Sequence, residues 1–391
     1  MSFKLDINLD FIPTYYYTEE NQIKFDPALY VQRYCFVAKV LGHKLFKNEI
    51  KKVVDFGCAE MKFFNTIRYN LPEIEHVVEI DIDEELLRRN MFVVEPLMVD
   101  YYSLRPKPLK VEVYKGSIAS KSQCLQQTDA VVAIELIEHL TEDHLKRMPS
   151  VVFEFMKPKI AIFTTPNREA NVLFPDLQTF RHPDHKFEWT REEFENWAND
   201  VCRTYPSYSV MFYQIGAVPP ELDVGGVSQA AVFLLKDFVN SLESTVDDVA
   251  EKFKASCQTE SPEKKEKINE DDFELIFSVD YTYDKRSDSQ KIIDDCKFHI
   301  NQNIKKYTNY DGSLSIIPLN VLFELLSPLC GSTEQLKELL VKEGYKVEEE
   351  HVIIDLIEDE SLESLNDELL NDEFSPNYEV ERTEEEEENW D

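Results

Sequence analysis

The segment AIELIEHL, residues 133–140, follows an apolar run and concentrates side chains that could bind a metal. Its pattern predicts a helix start, and a helix would place Glu135, Glu138 and His139 at positions i, i+3 and i+4 on one face. Two carboxylates and an imidazole on one face suit a hard or borderline divalent cation such as Mg²⁺ or Mn²⁺. The alternative is a helix N-terminus whose dipole favours acids, with a surface histidine beside it.

A second group of imidazoles lies in FRHPDHKFEWT, residues 180–190, which contains His182 and His185. We place this segment in a loop at the carboxyl edge of a predicted sheet, above the same crevice, and prefer His185 as the fourth ligand. Nearby basic residues indicate a cationic rim for a phosphate, with solvated surface charges as the alternative; they are Arg168, Arg181, Lys186 and Arg191. The predicted metal site therefore consists of Glu135, Glu138, His139 and His185, hereafter the four predicted ligands.

Three turns at predicted strand ends carry the residues of a cofactor site. VVDFGC, residues 53–58, contains Asp55 and Gly57, and a glycine at such a turn lets the backbone approach a ligand closely. Asp81 ends the next strand, where doubly wound folds place a carboxylate on ribose hydroxyls, and Ser117 follows VEVYKG. The alternatives are a plain glycine turn, a helix N-cap at Asp81 and a simple turn serine.

The elements that must position these side chains alternate between short apolar strands and helices over residues 50–165. This alternation predicts a parallel sheet with crossover helices. Helices are predicted near residues 60–70, 83–92 and 135–148, and after Thr190, whose hydroxyl could cap a helix. Strands are predicted at residues 52–56, 76–81, 111–115, 129–134, 160–164, 207–214 and 228–235.

The order strand-DxG, strand-acid and strand-GS resembles that of the class I S-adenosylmethionine methyltransferases. The resemblance implies an α/β fold with a Rossmann-like, mostly parallel seven-stranded sheet. It also implies S-adenosylmethionine as the cofactor, with Asp55 and Gly57 at its methionine end and Asp81 on its ribose. A dehydrogenase is disfavoured, because the turn has too few glycines to cradle a pyrophosphate.

Composition and charge restrict the class of protein further. A chain of 391 residues that is 43% hydrophobic can bury one large core beside a smaller unit. It has no apolar run of about 18 residues that could span a bilayer and no secretory leader pattern, so we expect a cytoplasmic protein with no membrane partner. Seven scattered cysteines without a CxxC pair indicate reduced thiols. A formal net charge of −34 disfavours broad, sequence-blind coating of nucleic acid.

The composition predicts five parts along the chain. They are an N-terminal extension (1–24), a methyltransferase domain (25–240), a polar linker or insertion (241–271), an accessory segment (272–357) and a disordered acidic tail (358–391). Residues 348–391 contain 20 acidic side chains and one arginine, which is more than half of the net charge. Within the accessory segment, FELIFSVDYTY has strand character, and IPLNVLFELLSPL and TEQLKELLVKEG have helical spacing. Whether they extend the core or form an appendage stays open.

The combined motifs resemble those of the small-RNA 3′-terminal 2′-O-methyltransferases, the Hua-enhancer type in its short animal form. The similarity extends from about Phe25 to Leu235 and rests on FDPALYVQRY, VVDFGC, ELIEHL, TTPNREAN, RHPDHKFEWTREEF and VSQAAVF. It implies that the four predicted ligands bind the catalytic metal and that Asp81 and Ser117 contact the cofactor. The chain departs from the family at Ala28, where a second proline is usual, and in a glycine-poor first turn.

The resemblance implies methyl transfer to the 2′-hydroxyl of the 3′-terminal nucleotide of small single-stranded RNAs of the piRNA or siRNA class, which protects their ends. It further implies a monomer, located in the cytoplasm or its RNA granules, that acts on ends presented by an Argonaute or Piwi protein. In the mechanism we hypothesise, the terminal 2′ and 3′ hydroxyls chelate the metal, and His139 or His185 accepts the 2′ proton. Two rivals stay open: a metal-dependent methyltransferase of catechol-like diols, and a catalytically silent partner-binding module.

Overall fold

A computed structural model describes residues 5–19, 22–174, 179–247, 272–326 and 330–356. The chain divides into two compact units, the first ending at Asp284 and the second beginning at Lys285. The predicted acidic tail and most of the predicted linker lie outside the described residues. Among the helices that the structure describes, none is long and apolar enough to cross a membrane.

The first unit contains a short hairpin and one large sheet. Its strands are β1 (Thr14–Tyr17), β2 (Ile23–Asp26), β3 (Lys52–Phe56), β4 (His76–Asp81), β5 (Leu109–Lys115), β6 (Ala130–Ile134), β7 (Ile160–Pro166), β8 (Tyr208–Ile215), β9 (Ser228–Leu235) and β10 (Glu274–Tyr281). Its helices are α1 (Leu29–Leu41), α2 (Lys62–Asn70), α3 (Glu84–Asn90), α4 (Met98–Tyr102), α5 (Glu142–Pro149), α6 (Arg191–Thr204) and α7 (Lys236–Asp247). A π-helical turn, Ser150–Met156, follows α5 directly.

The sheet has the strand order β10-β5-β4-β3-β6-β7-β9-β8. Strands β5, β4, β3, β6 and β7 are parallel, whereas β9 runs antiparallel between β7 and β8. The mostly parallel α/β sheet is therefore confirmed. The strand order reverses at β3, so a crevice is expected at the carboxyl ends of β3 and β6.

The expectation of seven strands omitted the edge strand β10, which pairs antiparallel with β5. Its last residue, Tyr281, is 3% exposed, and the Tyr281 hydroxyl donates to the Val94 carbonyl at 2.9 Å. The guanidinium of Arg68 stacks 5.4 Å from the centre of the Tyr281 ring. These contacts anchor β10 to the first unit, although it lies beyond the predicted linker.

Apolar layers cover both faces of the sheet. Strand side chains alternate in direction, so Val53 and Val77 pack into one layer, while Val54 and Val78 pack into the other. Each of these valines is fully buried, and burying such a side chain contributes about 1.5–3 kcal/mol. Burial on both faces explains why these strands read as continuous apolar runs in the sequence.

The second unit has its own small sheet and core. It contains α8 (Asp288–Tyr307), β11 (Leu314–Pro318), α9 (Leu319–Leu326), α10 (Thr333–Lys342), β12 (Lys346–Glu348) and β13 (His351–Asp355). The strand order is β11-β13-β12, with antiparallel pairing throughout. Its buried side chains include Ile292, Leu322, Leu340 and Val352. The sequence left open whether the accessory segment extends the core or forms an appendage. In the structure its first strand extends the large sheet, and its later described residues form a separate unit.

Candidate active site

The helix predicted over residues 135–148 is wrong at its start. Residues Ile137–His139 form a single 3-10 turn, and α5 begins only at Glu142. Thr141 caps α5, because its Oγ1 accepts a hydrogen bond from the N–H of His144. The residues predicted to share a helical face therefore leave the sheet on a tight turn.

Glu135 is held at the end of β6 by the neighbouring strands. Its backbone φ is +50°, and its N–H donates to the Thr164 carbonyl at 3.1 Å. Its carboxylate accepts hydrogen bonds from Thr164 Oγ1 at 2.9 Å and Ser228 Oγ at 3.3 Å, and it pairs with Arg33 Nη1 at 3.5 Å. Strand β7, strand β9 and helix α1 thus fix this carboxylate at the carboxyl edge of the sheet.

Glu138 is fully buried, yet its carboxyl group is only half satisfied. Oε2 accepts a hydrogen bond from Thr165 Oγ1 at 3.0 Å, whereas no donor in the described part of the chain reaches Oε1. Burial and the adjacent Glu135 raise the pKa of Glu138 well above its usual value. A buried carboxylate oxygen without a donor is costly unless a cation lies against it.

Three imidazoles lie together beside this turn: one ring nitrogen from each of His139, His182 and His185 lies within 4.8 Å of the other two. The backbone N–H of Lys186 donates to the Glu138 carbonyl at 2.8 Å. This bond joins the loop of residues 180–190, hereafter the histidine loop, to the 3-10 turn. Burial, followed by the two neighbouring imidazoles, lowers the pKa of His139 to about 4. His139 is therefore neutral at physiological pH, as a metal ligand must be.

The structure thus arranges the four predicted ligands as two neighbouring groups. His139 and His185 belong to the imidazole group, together with His182, which the sequence ranked lower. The carboxylates of Glu135 and Glu138 do not belong to that group. The neighbouring charges that shift the pKa of Glu138 are those of Glu135, which raises it, and Arg33, which lowers it. The tight turn, rather than a helical face, brings the two groups to the same edge of the sheet.

Sequence reasoning missed Glu188, which orients His185. Glu188 Oε1 lies 2.7 Å from His185 Nδ1, and the Glu188 carboxylate also accepts hydrogen bonds from Arg181 N and Asn171 Nδ2, each at 2.6 Å. Burial alone would raise the pKa of Glu188, but hydrogen bonds led by that from His185 hold it below the usual range. With Nδ1 donating to a carboxylate, His185 keeps Nε2 available for a metal. The available sequence signal was the spacing of three residues from His185.

The predicted cationic rim is largely paired. Arg168 contacts Glu193 at 3.0 Å, and Arg191 contacts Glu169 at 2.7 Å. Arg181 lies inside the loop, where Nη1 donates to the Val227 carbonyl at 2.9 Å and Nε donates to Asn171 Oδ1 at 2.7 Å. Arg181 therefore braces the histidine loop, whereas Arg168 and Arg191 form partly exposed ion pairs.

The predicted cofactor residues lie at the ends of three adjacent strands. Gly57 has a φ of +73°, and a Cβ there would lie 2.7 Å from Cδ1 of Leu136. The glycine turn therefore packs closely against the turn that carries Glu135 and Glu138. Asp81 accepts hydrogen bonds from the N–H groups of Ala59 at 3.0 Å and Asp83 at 2.9 Å. Burial raises the pKa of Asp81, and these backbone bonds oppose that rise.

The helix-cap role considered for Asp81 and the turn role considered for Ser117 have different outcomes. Asp83, not Asp81, caps α3, because its Oδ1 accepts from the N–H of Leu86 at 3.0 Å. Asp81 is therefore not a helix cap. Ser117 Oγ accepts a hydrogen bond from the Ala119 N–H at 3.2 Å, so it does form a local turn beside its predicted cofactor role. Asp55 is 3% exposed, and burial followed by the charge of Asp81 raises its pKa to about 8.

The sheet order, the antiparallel β9 between β7 and β8, the acid–glycine turn after β3 and the acid at the end of β4 define a class I S-adenosylmethionine-dependent methyltransferase. Comparison with known proteins then specifies the family. The chain is 36% identical over 387 residues to the small RNA 2′-O-methyltransferase of Drosophila melanogaster, covering 95% of each. It belongs to the small RNA 2′-O-methyltransferase family and is an S-adenosylmethionine-dependent enzyme.

Further comparisons concern a second relative, a domain of the second unit and a solved structure. The chain is 38% identical over 260 residues to the small RNA 2′-O-methyltransferase of Gallus gallus, covering 66% of this chain and 62% of that protein. Residues 289–355 match the HEN1 methyltransferase C-terminal domain, which places that domain within the second unit. A crystal structure of the methyltransferase domain of bacterial CtHen1 is 33% identical, covering 53% of this chain and 100% of that one with a TM-score of 0.44.

Proposed function

We propose that this chain transfers a methyl group from S-adenosylmethionine to the 2′-hydroxyl of the 3′-terminal nucleotide of a small single-stranded RNA, and that it requires Mg²⁺ or Mn²⁺. Family membership supports the reaction and its acceptor. The single observation that carries the metal requirement is the buried, half-satisfied carboxyl group of Glu138. The neighbouring imidazole group supports it, because the donor types suit a borderline cation.

The four predicted ligands would hold the metal, and their surroundings support that role. Glu188 fixes the tautomer of His185, Arg33 and Thr164 fix the carboxylate of Glu135, and Thr165 fixes one oxygen of Glu138. When bound, the cation would act as a Lewis acid on the hydroxyls of the terminal ribose. His139 is neutral at physiological pH, so one of its ring nitrogens would be available to hold the metal.

Glu138→Gln tests this proposal with almost no change in volume. A neutral amide cannot supply an anionic oxygen ligand, so we expect loss of Mn²⁺ binding by calorimetry and loss of metal-dependent methyl transfer to a short single-stranded RNA. Glu154→Gln is the matched control, because Glu154 is an exposed glutamate outside the site. Retention of both properties in Glu138→Gln would overturn the metal assignment. Methyl transfer to a catechol but not to RNA would overturn the substrate assignment.

We further propose that a monomer of this chain acts in the cytoplasm on RNA ends presented by an Argonaute or Piwi protein. The formal charge of −34 supports a presenting partner, because an acidic enzyme gains little affinity from RNA phosphates. Light scattering of the purified chain tests whether it is a monomer. Methyl-transfer rates on free RNA and on RNA held by a Piwi protein test whether a partner presents the end. A stable homodimer, or equal transfer rates on free and presented RNA, would contradict them.

A further inference from the structure

Glu79 is a buried acid in the cofactor site that the sequence reasoning passed over. It is fully buried on β4 and lies opposite Asp55 of β3 in the parallel register. Asp81 lies two residues further along β4 and therefore points to the same face of the sheet. Three acidic side chains thus meet beneath the glycine turn, at the edge where the cofactor binds.

Among the residues that the structure describes, no basic side chain acts on Glu79. In the described part of the chain, no N–H or O–H donates to either of its carboxyl oxygens. The groups within hydrogen-bonding reach are the Asp55 carboxyl and the Cys58 thiol, a weak donor. The titratable groups that act on the Asp55–Glu79 pair are Asp81 on β4, the Cys58 thiol in the turn and Tyr34 on α1. Arg33 and Glu60 act on Tyr34.

Two buried carboxyl groups at paired positions of neighbouring strands cannot both be ionised, because the protein interior screens their repulsion poorly. One of them must carry a proton, which it can donate to the other. The question is then which carboxyl holds it.

The surroundings assign the proton to Glu79. Burial, followed by Asp55, raises the pKa of Glu79 well above its usual value. Burial followed by the charge of Asp81 also raises the pKa of Asp55, but the hydrogen bond from Glu79 lowers it, so Asp55 ionises more readily than Glu79. Asp55 also keeps slight exposure at the end of its strand, two residues before Gly57.

We propose that Glu79 is a positioning residue of the cofactor site: as a neutral acid it donates a hydrogen bond to the Asp55 carboxylate and so favours its ionised form, which receives the cationic methionine end of S-adenosylmethionine. Glu79 acts through Asp55 and does not touch the cofactor itself. The inference rests on the cofactor assignment and not on the metal or the RNA. Binding measured without either therefore separates its failure from that of the proposed function.

The test is calorimetric binding of S-adenosylmethionine to the full chain, over neutral to alkaline pH, for the wild type, Glu79→Gln and Glu79→Leu. Glutamine keeps an N–H donor for Asp55, so we expect an affinity close to that of the wild type. Leucine has no donor, so Asp55 holds its proton to higher pH. We expect Glu79→Leu to lose about tenfold or more at neutral pH and to recover as the pH rises.

Three results would overturn the proposal: an unchanged Glu79→Leu, an equal loss at every pH, or a loss in Glu79→Gln as large as in Glu79→Leu. Glu112→Gln is the control, because it removes a partly buried carboxyl from β5, where Glu112 bonds His76 instead of Asp55. If Glu79→Leu does not fold, infrared difference spectra of the wild type and Glu79→Gln decide. We expect the wild type to show one protonated-carboxyl stretch that Glu79→Gln lacks, and the absence of that difference would overturn the proposal.

Discussion

His185 Nδ1 lies 2.7 Å from Glu188 Oε1, and the side chain of Glu188 is completely buried. The same Glu188 carboxylate accepts hydrogen bonds from Arg181 N and Asn171 Nδ2. It therefore joins His185 to the first residues of the histidine loop and to Asn171. The ring of His185 therefore has one orientation and one tautomer before any metal binds. Such a partner makes the opposite ring nitrogen a better ligand.

The contact predicts that Glu188→Gln weakens metal binding without removing a ligand. The amide oxygen can still accept a hydrogen bond, but the negative charge that favours the donating Nδ1–H is lost. We expect the affinity for Mn²⁺ to fall about 10–100-fold, measured by calorimetry on the RNA-free protein. Glu192→Gln, at an exposed position on α6, should leave the affinity unchanged. Equal affinities in all three proteins would show that Glu188 has no such role.

The two loop histidines should differ in their importance. His182 Nδ1 accepts a hydrogen bond from the backbone N–H of Asp184 at 3.1 Å, so this ring serves the loop itself. We expect His185→Ala to abolish metal-dependent methyl transfer and His182→Ala to retain a measurable rate. Single-turnover transfer at saturating Mn²⁺ compares them. The opposite order would assign His182, not His185, as the ligand.

Arg33 should stabilise the metal-free site. Removing one partner of a buried ion pair costs about 3–5 kcal/mol. Arg33 and Glu135 keep 12% and 18% exposure, so we expect Arg33→Met to lose about 2 kcal/mol of the free energy of unfolding. A bound cation would offset part of this loss, so Mn²⁺ should raise the unfolding temperature of Arg33→Met more than that of the wild type. Arg203→Met is the exposed control. Equal Mn²⁺ shifts in Arg33→Met and the wild type would separate Arg33 from the metal site.

His139 should make the metal-free protein less stable in mild acid. Its folded-state pKa is about 4, below the usual value of about 6.5. Between those values the unfolded chain binds the extra proton, so the free energy of unfolding falls as the pH falls. The full shift would correspond to about 3.4 kcal/mol, and partial exposure of the ring reduces the effect. Urea unfolding across this range should show a shallower pH dependence in His139→Gln; an unchanged slope would contradict the assignment.

The sequence predicted the main strands because each is buried on both faces and therefore reads as an apolar run. It did not predict where β10 pairs, since that depends on a buried tyrosine contact with Arg68 and Val94, far away in the chain. The helix start at Glu135 failed for a similar reason. Thr164 on the neighbouring strand holds the Glu135 N–H and carboxylate, and spacing alone cannot reveal a partner 29 residues away.

In the candidate site, too, the sequence predicted some residues and could not predict those whose role depends on the fold. Residue types and spacing identified His139 and His185, and the structure brings their rings to a centroid separation of 4.8 Å. The residues that orient them were not identified, because Glu188 and Arg33 look like ordinary surface charges in a sequence. Burial gives those charges their roles, and burial of a polar residue depends on the assembled fold. Glu79 was missed for the same reason, within a strand that reads as apolar.

The most direct test of the central claim is transfer of labelled methyl from S-adenosylmethionine to one short single-stranded RNA prepared with three different 3′ ends. We expect transfer to the end with free 2′ and 3′ hydroxyls, only with Mn²⁺ or Mg²⁺, and we expect the product to resist periodate. The 2′-deoxy and 3′-phosphorylated ends should remain unmodified. Equal transfer to either of those ends, or full transfer in the presence of a chelator, would contradict recognition of the terminal diol by a metal at Glu135, Glu138, His139 and His185.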